Sequence, residues 1–499
     1  MNPTLDRLRT RLAQVVDLRR VNSLLFWDQQ TMMPAAGAAA RGEHRATLDR
    51  LAHELFVADE TGRMLDELES YAETLDYDSD DASLIRVVRA DYEKARRVPA
   101  ELRAEMTRAA SEGLRAWMGA KAESDFAAFL PALERNVELR RRYIDCFDGY
   151  DEPYDVLLDD YERGMKTAEV RAIFEEVKHA LVPLIREAAD RDADDDFLRG
   201  SFPVERQEAI GREVIEAFGF RPDSWRLDHT PHPFAGGAGI DDIRITTHYR
   251  ERDLDSFFAT MHEYGHGLYE HQVARELERT PLGSGVSLGV HESQSRMWEN
   301  LVGRSLPFWR FFYGRLQAAF PEQLGDVELE RFYRAVNRVH PSLIRIHADE
   351  VTYNLHIILR FELEQDIVNG RVELRDLAQV WGERMDEYLG LEVPDDARGV
   401  LQDMHWAGGQ IGYFSTYSLG NVMSVQIWER VLEDVPDLVE GFERGEFAPL
   451  REWLGENLHR HGRKYRPQEL LERAVGRTID PAPYLRYLRE KHGTGALTA

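Results

Sequence analysis

The chain has 499 residues, enough to bury one large core or two lobes, and its 43% apolar and 31% charged residues mark a globular protein rather than a disordered one. Its formal net charge of −27 repels phosphate backbones and anionic lipid, which excludes nucleic acid and membrane surfaces as expected partners. The one cysteine, Cys146, excludes an intrachain disulfide and suits a reducing cytoplasm, and the start of the chain has neither an apolar signal core nor a small-residue cleavage site.

Apolar residues three and four apart, with charges between them, predict helices over 4–21, 40–75, 83–95, 99–121, 124–145, 167–190 and 204–218. Breakers fall between these blocks: Met33-Pro34, the Asp148–Pro153 stretch, the acidic run Arg191–Asp196 and, further on, Pro281 to Gly285. Residues Asp242–Tyr249 alternate polar and β-branched side chains, which is strand chemistry, and Val286–Val290 reads as a second short strand. Helices resume over 253–278, 291–304, 326–337, 344–369, 374–388 and 421–434. No apolar run approaches the ~18 residues a membrane span needs. The expected fold is mainly α, with a small β-sheet beside the 253–278 helix. With no long Pro/Gly/Ser linker, 1–499 is one unit, of one lobe or two.

His262-Glu-Tyr-Gly-His266 is an HExxH motif. On a helix the two histidines share one face a turn apart and can reach one ion, while Glu263 projects beside them without being a ligand. Phe257, Phe258, Met261 and Leu268 supply the apolar stripe of that helix. A catalytic zinc needs a third protein ligand and an open position. Glu292, 26 residues after His266, fits the first turn of a returning helix; His291 beside it is the alternative.

From end to end the chain resembles the Taq-type thermostable carboxypeptidase family of zinc metallopeptidases. The resemblance rests on Leu25–Pro34, Tyr154–Met165, His232-Pro-Phe234, Asp242-Ile-Arg-Ile-Thr246 and the HExxH. It continues through His291–Arg296, Ile344–Glu350 and Gly399–Trp406. It implies a helical gluzincin-type fold with a deep groove, and a cytoplasmic homodimer removing C-terminal residues from peptides with broad preference. On this reading 231–499 carries the metal and substrate site, and 1–230 is groove wall and scaffold. Zinc is the expected metal, although cobalt or manganese suits the same donors. The rival readings are a helical zinc endopeptidase of the oligopeptidase kind and a peptide-binding protein without catalysis; the intact Glu263 argues against the latter.

The chemistry needs a base for water, donors for the oxyanion and, in an exopeptidase, a cation for the substrate's carboxylate. Glu263 is the expected base. Resemblance to related helical peptidases points to His405 and Tyr413 for the oxyanion, with Tyr417 the rival tyrosine. Arg345, between Ile344 and Ile346 in an expected apolar helix, needs an anion: a substrate carboxylate, or Asp349 at i+4. Arg244 is the second choice, and His232 is a further expected substrate contact. Asp349, Glu350 and Glu299 are candidates to receive a ligand histidine's second ring nitrogen. The strand at 242–249 offers either an unpaired edge for an extended peptide or a purely structural hairpin.

Overall fold

The computed structural model describes residues 2–189 and 195–493, so part of the expected Arg191–Asp196 break lies outside the described residues. Helices carry most of the chain, as expected. The first, Pro3–Thr31, starts where Asn2 accepts a hydrogen bond from the Thr4 backbone at 3.0 Å and Pro3 presets the first turn. It runs ten residues past the expected end, carrying Trp27 with it. The expected 40–75 block is three helices, Ala38–Val57, Asp59–Glu67 and Glu69–Ala72. Further helices at Leu306–Ala319, Ala448–Asn457, Pro467–Val475 and Ala482–His492 follow the metal region without having been anticipated. Among the described residues, no helix is long and apolar enough to cross a membrane.

The sheet has three strands, β1 (Trp225–His229), β2 (Ala235–Gly239) and β3 (Asp242–Thr247), in the order β1-β3-β2. Strand β3 pairs parallel with β1 and antiparallel with β2. It is therefore central, which excludes the unpaired-edge alternative and leaves the structural one. Strand β2 reads Ala-Gly-Gly-Ala-Gly, which has no strand propensity of its own. Close approach explains the glycine at 237: a Cβ there would lie 2.2 Å from the Asp242 carbonyl oxygen. Val286–Val290 is not a strand either. Ser287 is extended, accepts from the Val290 backbone at 3.2 Å and starts a helix at Leu288.

The HExxH helix, Asp255–His271, lies between the sheet and the returning helix Leu288–Arg296. Two glycines permit this. A Cβ on Gly267 would sit 2.5 Å from the Trp225 ring of β1, and one on Gly265 would sit 2.5 Å from the Gln294 carbonyl oxygen. The returning helix passes into a π-helical segment, Met297–Val302. The helix Ser415–Asp434 closes its other side, where a Cβ on Gly420 would meet Glu292 Cβ at 2.6 Å.

The apolar core has two parts. The larger extends from Val98 to Leu488 and encloses the HExxH and returning helices. The smaller joins Leu5, Leu12, Phe56, Leu65, Val88 and Tyr92 of the first helices to Ile240, Val273, Leu277 and Leu282. The segments flanking the HExxH helix thus belong to both cores.

The helix contact at Gly265 has a testable consequence. Gly265→Ala should force the HExxH helix off its neighbour and lower stability by about 1–3 kcal/mol, as overpacking does. Gly382→Ala is the control, because a Cβ there meets nothing within 4 Å; in mid-helix it should leave stability unchanged or raise it by up to about 1 kcal/mol. Paired thermal and urea melts decide the point.

Candidate metal centre

Histidines 262 and 266 stand one turn apart on the HExxH helix, and Glu292 comes from the first turn and a half of the returning helix. One donor atom from each lies within 4.8 Å of the others. Glu292 Oε2 is 3.6 Å from His262 Nε2 and 3.5 Å from His266 Nε2. Ligands about 2.0–2.2 Å from a tetrahedral ion sit roughly 3.3–3.5 Å from one another. The three donors therefore suit one ion of that size. His291 is not part of the set; its Nδ1 faces His266 Nδ1 at 3.2 Å.

The surrounding charges fix these donors. Arg296 Nε reaches Glu292 Oε1 at 2.7 Å, leaving Oε2 to face the histidines. Burial works to raise the Glu292 carboxyl; Arg296, His262 and His266 outweigh it and hold it well below the usual carboxylate range. His262 Nδ1 lies 2.9 Å from Glu299 Oε2, which leaves Nε2 for the ion. Of the three carboxylates considered for that position, only Glu299 takes it. Asp349 instead accepts from the His340, Val351 and Thr352 backbone, and Glu350 meets Tyr487, Lys491 and His492.

Glu263 is buried beside the donors, and its Oε2 has no hydrogen-bond partner among the described residues. Burial pushes its carboxyl up to about 7, with His262 opposing. A proton-accepting oxygen is thus held next to the three donors without an internal partner to compete for it.

His405, Tyr413 and Tyr417 form a second wall. His405 Nε2 is 3.3 Å from the Tyr417 hydroxyl, and the Tyr413 and Tyr417 rings are 5.2 and 6.2 Å from the imidazole. Burial, aided by Arg345 and Arg360 against Asp403, pushes His405 down to about 3, so it is neutral. Burial, and then Glu292, pushes Tyr413 up to about 12, so its phenol keeps its proton. Both groups can donate.

Arg345 does not sit in an apolar helix. Residues Arg345–His347 form a 3₁₀ turn, Ile346 is 63% exposed, and the helix that follows starts at Tyr353. Nor is its partner Asp349. Arg345 Nε and Nη2 bind Asp403 Oδ1 at 3.1 and 2.8 Å, and Nη1 binds the Tyr353 hydroxyl at 2.9 Å. Asp403 also binds fully buried Arg360, Nε to Oδ2 at 2.7 Å. Two guanidiniums share one carboxylate, leaving a buried positive excess beside His405 and Tyr417.

Arg244 lies elsewhere in the sheet. It forks onto Asp242 at 2.8 and 3.1 Å, and its guanidinium covers the Trp27 ring at 4.2 Å. This contact accounts for the tryptophan of the N-terminal signature. His232 is exposed in the connection between β1 and β2, near His248.

Sequence reasoning missed two buried carboxylates. Glu162 accepts from the Ser287 hydroxyl and the Gly289 backbone, both at 2.9 Å, at the start of the returning helix. Glu364 accepts from Tyr154 at 2.6 Å, Trp406 Nε1 at 2.7 Å and the Gly412 backbone at 2.9 Å. It thereby fixes both ends of the loop bearing His405 and Tyr413. The Tyr154–Met165 signature supplies Tyr154 and Glu162, and Tyr161 packs on the Tyr413 ring at 5.2 Å. The available signal was spacing: Glu364 lies three residues after Phe361 and three and four before Ile367 and Val368, on the apolar face of its helix.

Comparison with known proteins agrees with this geometry. The model of the carboxypeptidase Taq (M32) metallopeptidase family matches residues 7–492. The chain belongs to that family. It is 41% identical to thermostable carboxypeptidase 1 of Thermus thermophilus over 95% of each chain, and 36% identical to carboxypeptidase 1 of Bacillus subtilis over 94% of each. The crystal structure of an M32 carboxypeptidase from Deinococcus radiodurans superposes with a TM-score of 0.96 at 41% identity, covering 99% of both chains. The mainly helical fold with its small sheet is that of the family.

Glu364→Gln keeps the side chain's shape but turns one acceptor into a donor facing three donors. One buried hydrogen bond is then lost, which should cost about 1–3 kcal/mol in stability. The His405–Tyr413 loop should loosen, so kcat should fall while metal content stays at the wild-type level. Thermal melting, metal analysis and steady-state kinetics on one preparation check all three.

Proposed function

We propose that the chain is a zinc-dependent carboxypeptidase, with the metal held by His262, His266 and Glu292, that removes C-terminal residues from peptides. The observation that carries this reading is the convergence of both Nε2 atoms on Glu292 Oε2 beside the unpartnered Glu263 oxygen. A zinc ion at these donors supplies Lewis-acid polarisation of the scissile carbonyl and makes water a competent nucleophile near neutral pH. Cobalt and manganese suit the same donors.

Glu263 takes the proton from the attacking water at its free carboxylate oxygen and delivers it to the leaving amine. Its raised proton affinity suits both steps, because it releases the proton as readily as it accepts one. Neutral His405 and the Tyr413 phenol donate to the oxygen that gains charge. Tyr417 holds His405 Nε2 in the apo arrangement. Arg345 keeps a donor on each of its two terminal nitrogens after binding Asp403 and Tyr353, and the positive excess over Asp403 draws the substrate's terminal carboxylate. Arg244, which is held by Asp242 and Trp27, and the exposed His232 are the further proposed contacts for the peptide. Broad preference follows if the enzyme reads a chain end rather than side chains. The single cysteine supports a cytoplasmic setting, and the homodimer rests on the family resemblance.

Glu263→Gln should retain metal and fold while turnover falls by about 10²–10⁴-fold. Near-normal activity at confirmed metal content would remove Glu263 from the mechanism.

Arg345→Ala tests the exopeptidase character. Asp403 keeps Arg360, so the variant should remain folded. Losing a charge-assisted contact worth about 1.5–3 kcal/mol should slow cleavage of a free-acid peptide and leave the low rate on its C-amidated form unchanged. The ratio of the two rates should fall towards one. A preserved ratio in a protein with a normal melt would remove Arg345 from substrate binding and bring Arg244 forward; a lowered melt with both rates falling together would make Arg345 only a structural partner of Asp403; equal cleavage of both peptides by wild type would point to an endopeptidase.

A further inference from the structure

The two ligand histidines are fixed in different ways. His262 meets a carboxylate directly, Glu299 Oε2 at 2.9 Å from Nδ1. His266 meets no carboxylate on that side; its Nδ1 is 3.2 Å from His291 Nδ1, and His291 Nε2 is 2.8 Å from Glu270 Oε1. We propose that His291 and Glu270 form a relay that holds His266 in the tautomer and orientation its ligand role requires, making both of them positioning residues for the metal. The inference rests on the assignment of His266 as a ligand.

The order of protons along the relay follows from what each atom can do. A carboxylate only accepts, so His291 carries its proton on Nε2. The Nδ1 of neutral His291 is then a lone pair, so the His266 Nδ1 must donate to it. His266 Nε2 is left unprotonated, on the side facing Glu292 Oε2 at 3.5 Å. Glu299 imposes the same tautomer on His262. Reversing the relay would put a proton on His266 Nε2, where no ion could be bound.

The surroundings hold the relay in place. Glu270 Oε1 also accepts from the Gly285 backbone at 2.8 Å. A Cβ on Gly285 would lie 2.5 Å from the His291 ring, so only glycine lets the backbone approach this closely. The Tyr269 ring packs beside it, 4.8 Å from the imidazole, and its hydroxyl accepts from Val286 at 3.1 Å. His266, Tyr269 and Glu270 all lie on the HExxH helix, and His291 and Glu292 are adjacent on the returning helix. One pair of helices therefore supplies both the ligands and the outer support of one of them.

The test uses the full-length protein, with zinc affinity measured by competition against a chromophoric chelator and melts of the metal-free forms. His291→Leu should weaken zinc binding by about 10–100-fold, as loss of an outer partner does. Glu270→Gln, which keeps the shape and removes the charge, should weaken it by a smaller factor. Because Glu270 acts only through the imidazole, the double variant should bind no more weakly than His291→Leu alone. Histidine ¹⁵N spectra of the zinc-loaded wild type should show His266 protonated at Nδ1.

Multiplication of the two single effects in the double variant would overturn the relay, as would unchanged zinc affinity in folded Glu270→Gln; this second result decides the matter even if His291→Leu does not fold. Loss of zinc in His266→Ala, with wild-type affinity in His291→Leu, would sink the relay and leave the metal assignment standing. A His266→Ala protein that retains full zinc affinity would sink both.

Discussion

Arg296 places one positive charge between two buried carboxylates, Nε at 2.7 Å from Glu292 Oε1 and Nη1 at 3.2 Å from Glu299 Oε2. Without it the two acids, one a candidate ligand and the other the partner of a candidate ligand, would repel each other in a medium that screens little. With it, each presents one oxygen to a histidine. Residues 292, 296 and 299 share one stripe of the returning helix, and the π-helical segment Met297–Val302 carries its last member. Such segments are frequent where a side chain must be re-aimed at a functional site. Removal of this one guanidinium would leave Glu292 without a permanent cation and Glu299 with Arg304 alone at 3.5 Å, a loss of the order of 3–5 kcal/mol.

The same logic appears with the opposite sign on the far wall. There Asp403 is the single charge between Arg345 and Arg360, and the balance is positive. Tyr353 stands between the two networks, its hydroxyl on Arg345 Nη1 at 2.9 Å and its ring under Arg296 at 4.5 Å. One wall thus turns a carboxylate oxygen, Glu292 Oε2, towards a candidate cation site, and the other carries spare positive charge. A peptide terminus that brings a carboxylate to one and a carbonyl to a metal at the other satisfies both walls at once.

The centre of the site was legible because its signal is local. Spacing of four on an amphipathic helix places His262 and His266 together whatever the rest of the chain does. The length of the return made Glu292 readable, and the fold class followed from periodicity. What escaped depends on distant pairs. Arg345 and Asp403 are 58 residues apart, and Glu364 meets partners at 154, 406 and 412. No periodic pattern encodes such contacts, which explains why the internal partner weighed for Arg345, as the alternative to a substrate carboxylate, was Asp349 at i+4. Strand β2 shows the opposite failure: a sequence with no strand preference is held extended because β3 pairs with it, and bulky side chains would block the pairing.

Glu162 and Glu364 also alter how the N-terminal half should be regarded. Each is a buried acceptor whose donors lie far from it in the chain: Glu162 takes two from one turn, at 287 and 289, and Glu364 takes three, from 154, 406 and 412. Glu162 fixes the start of the helix that carries Glu292, and Glu364 fixes the loop that carries His405 and Tyr413. Burial pushes both carboxyls up to about 7, against the pull of their donors. An acidic group held in so unfavourable a setting is a poor way to gain stability alone, since apolar packing would do as well or better. It does specify one arrangement, because a shifted loop would leave several buried donors unpaired at once. Tyr154 and Glu162 belong to one short stretch, Tyr154–Met165, so a single stretch of the first 230 residues sets the position of both walls. The distance between the helix that carries Glu292 and the loop that carries His405 and Tyr413 is thereby fixed from a stretch more than a hundred residues earlier in the chain.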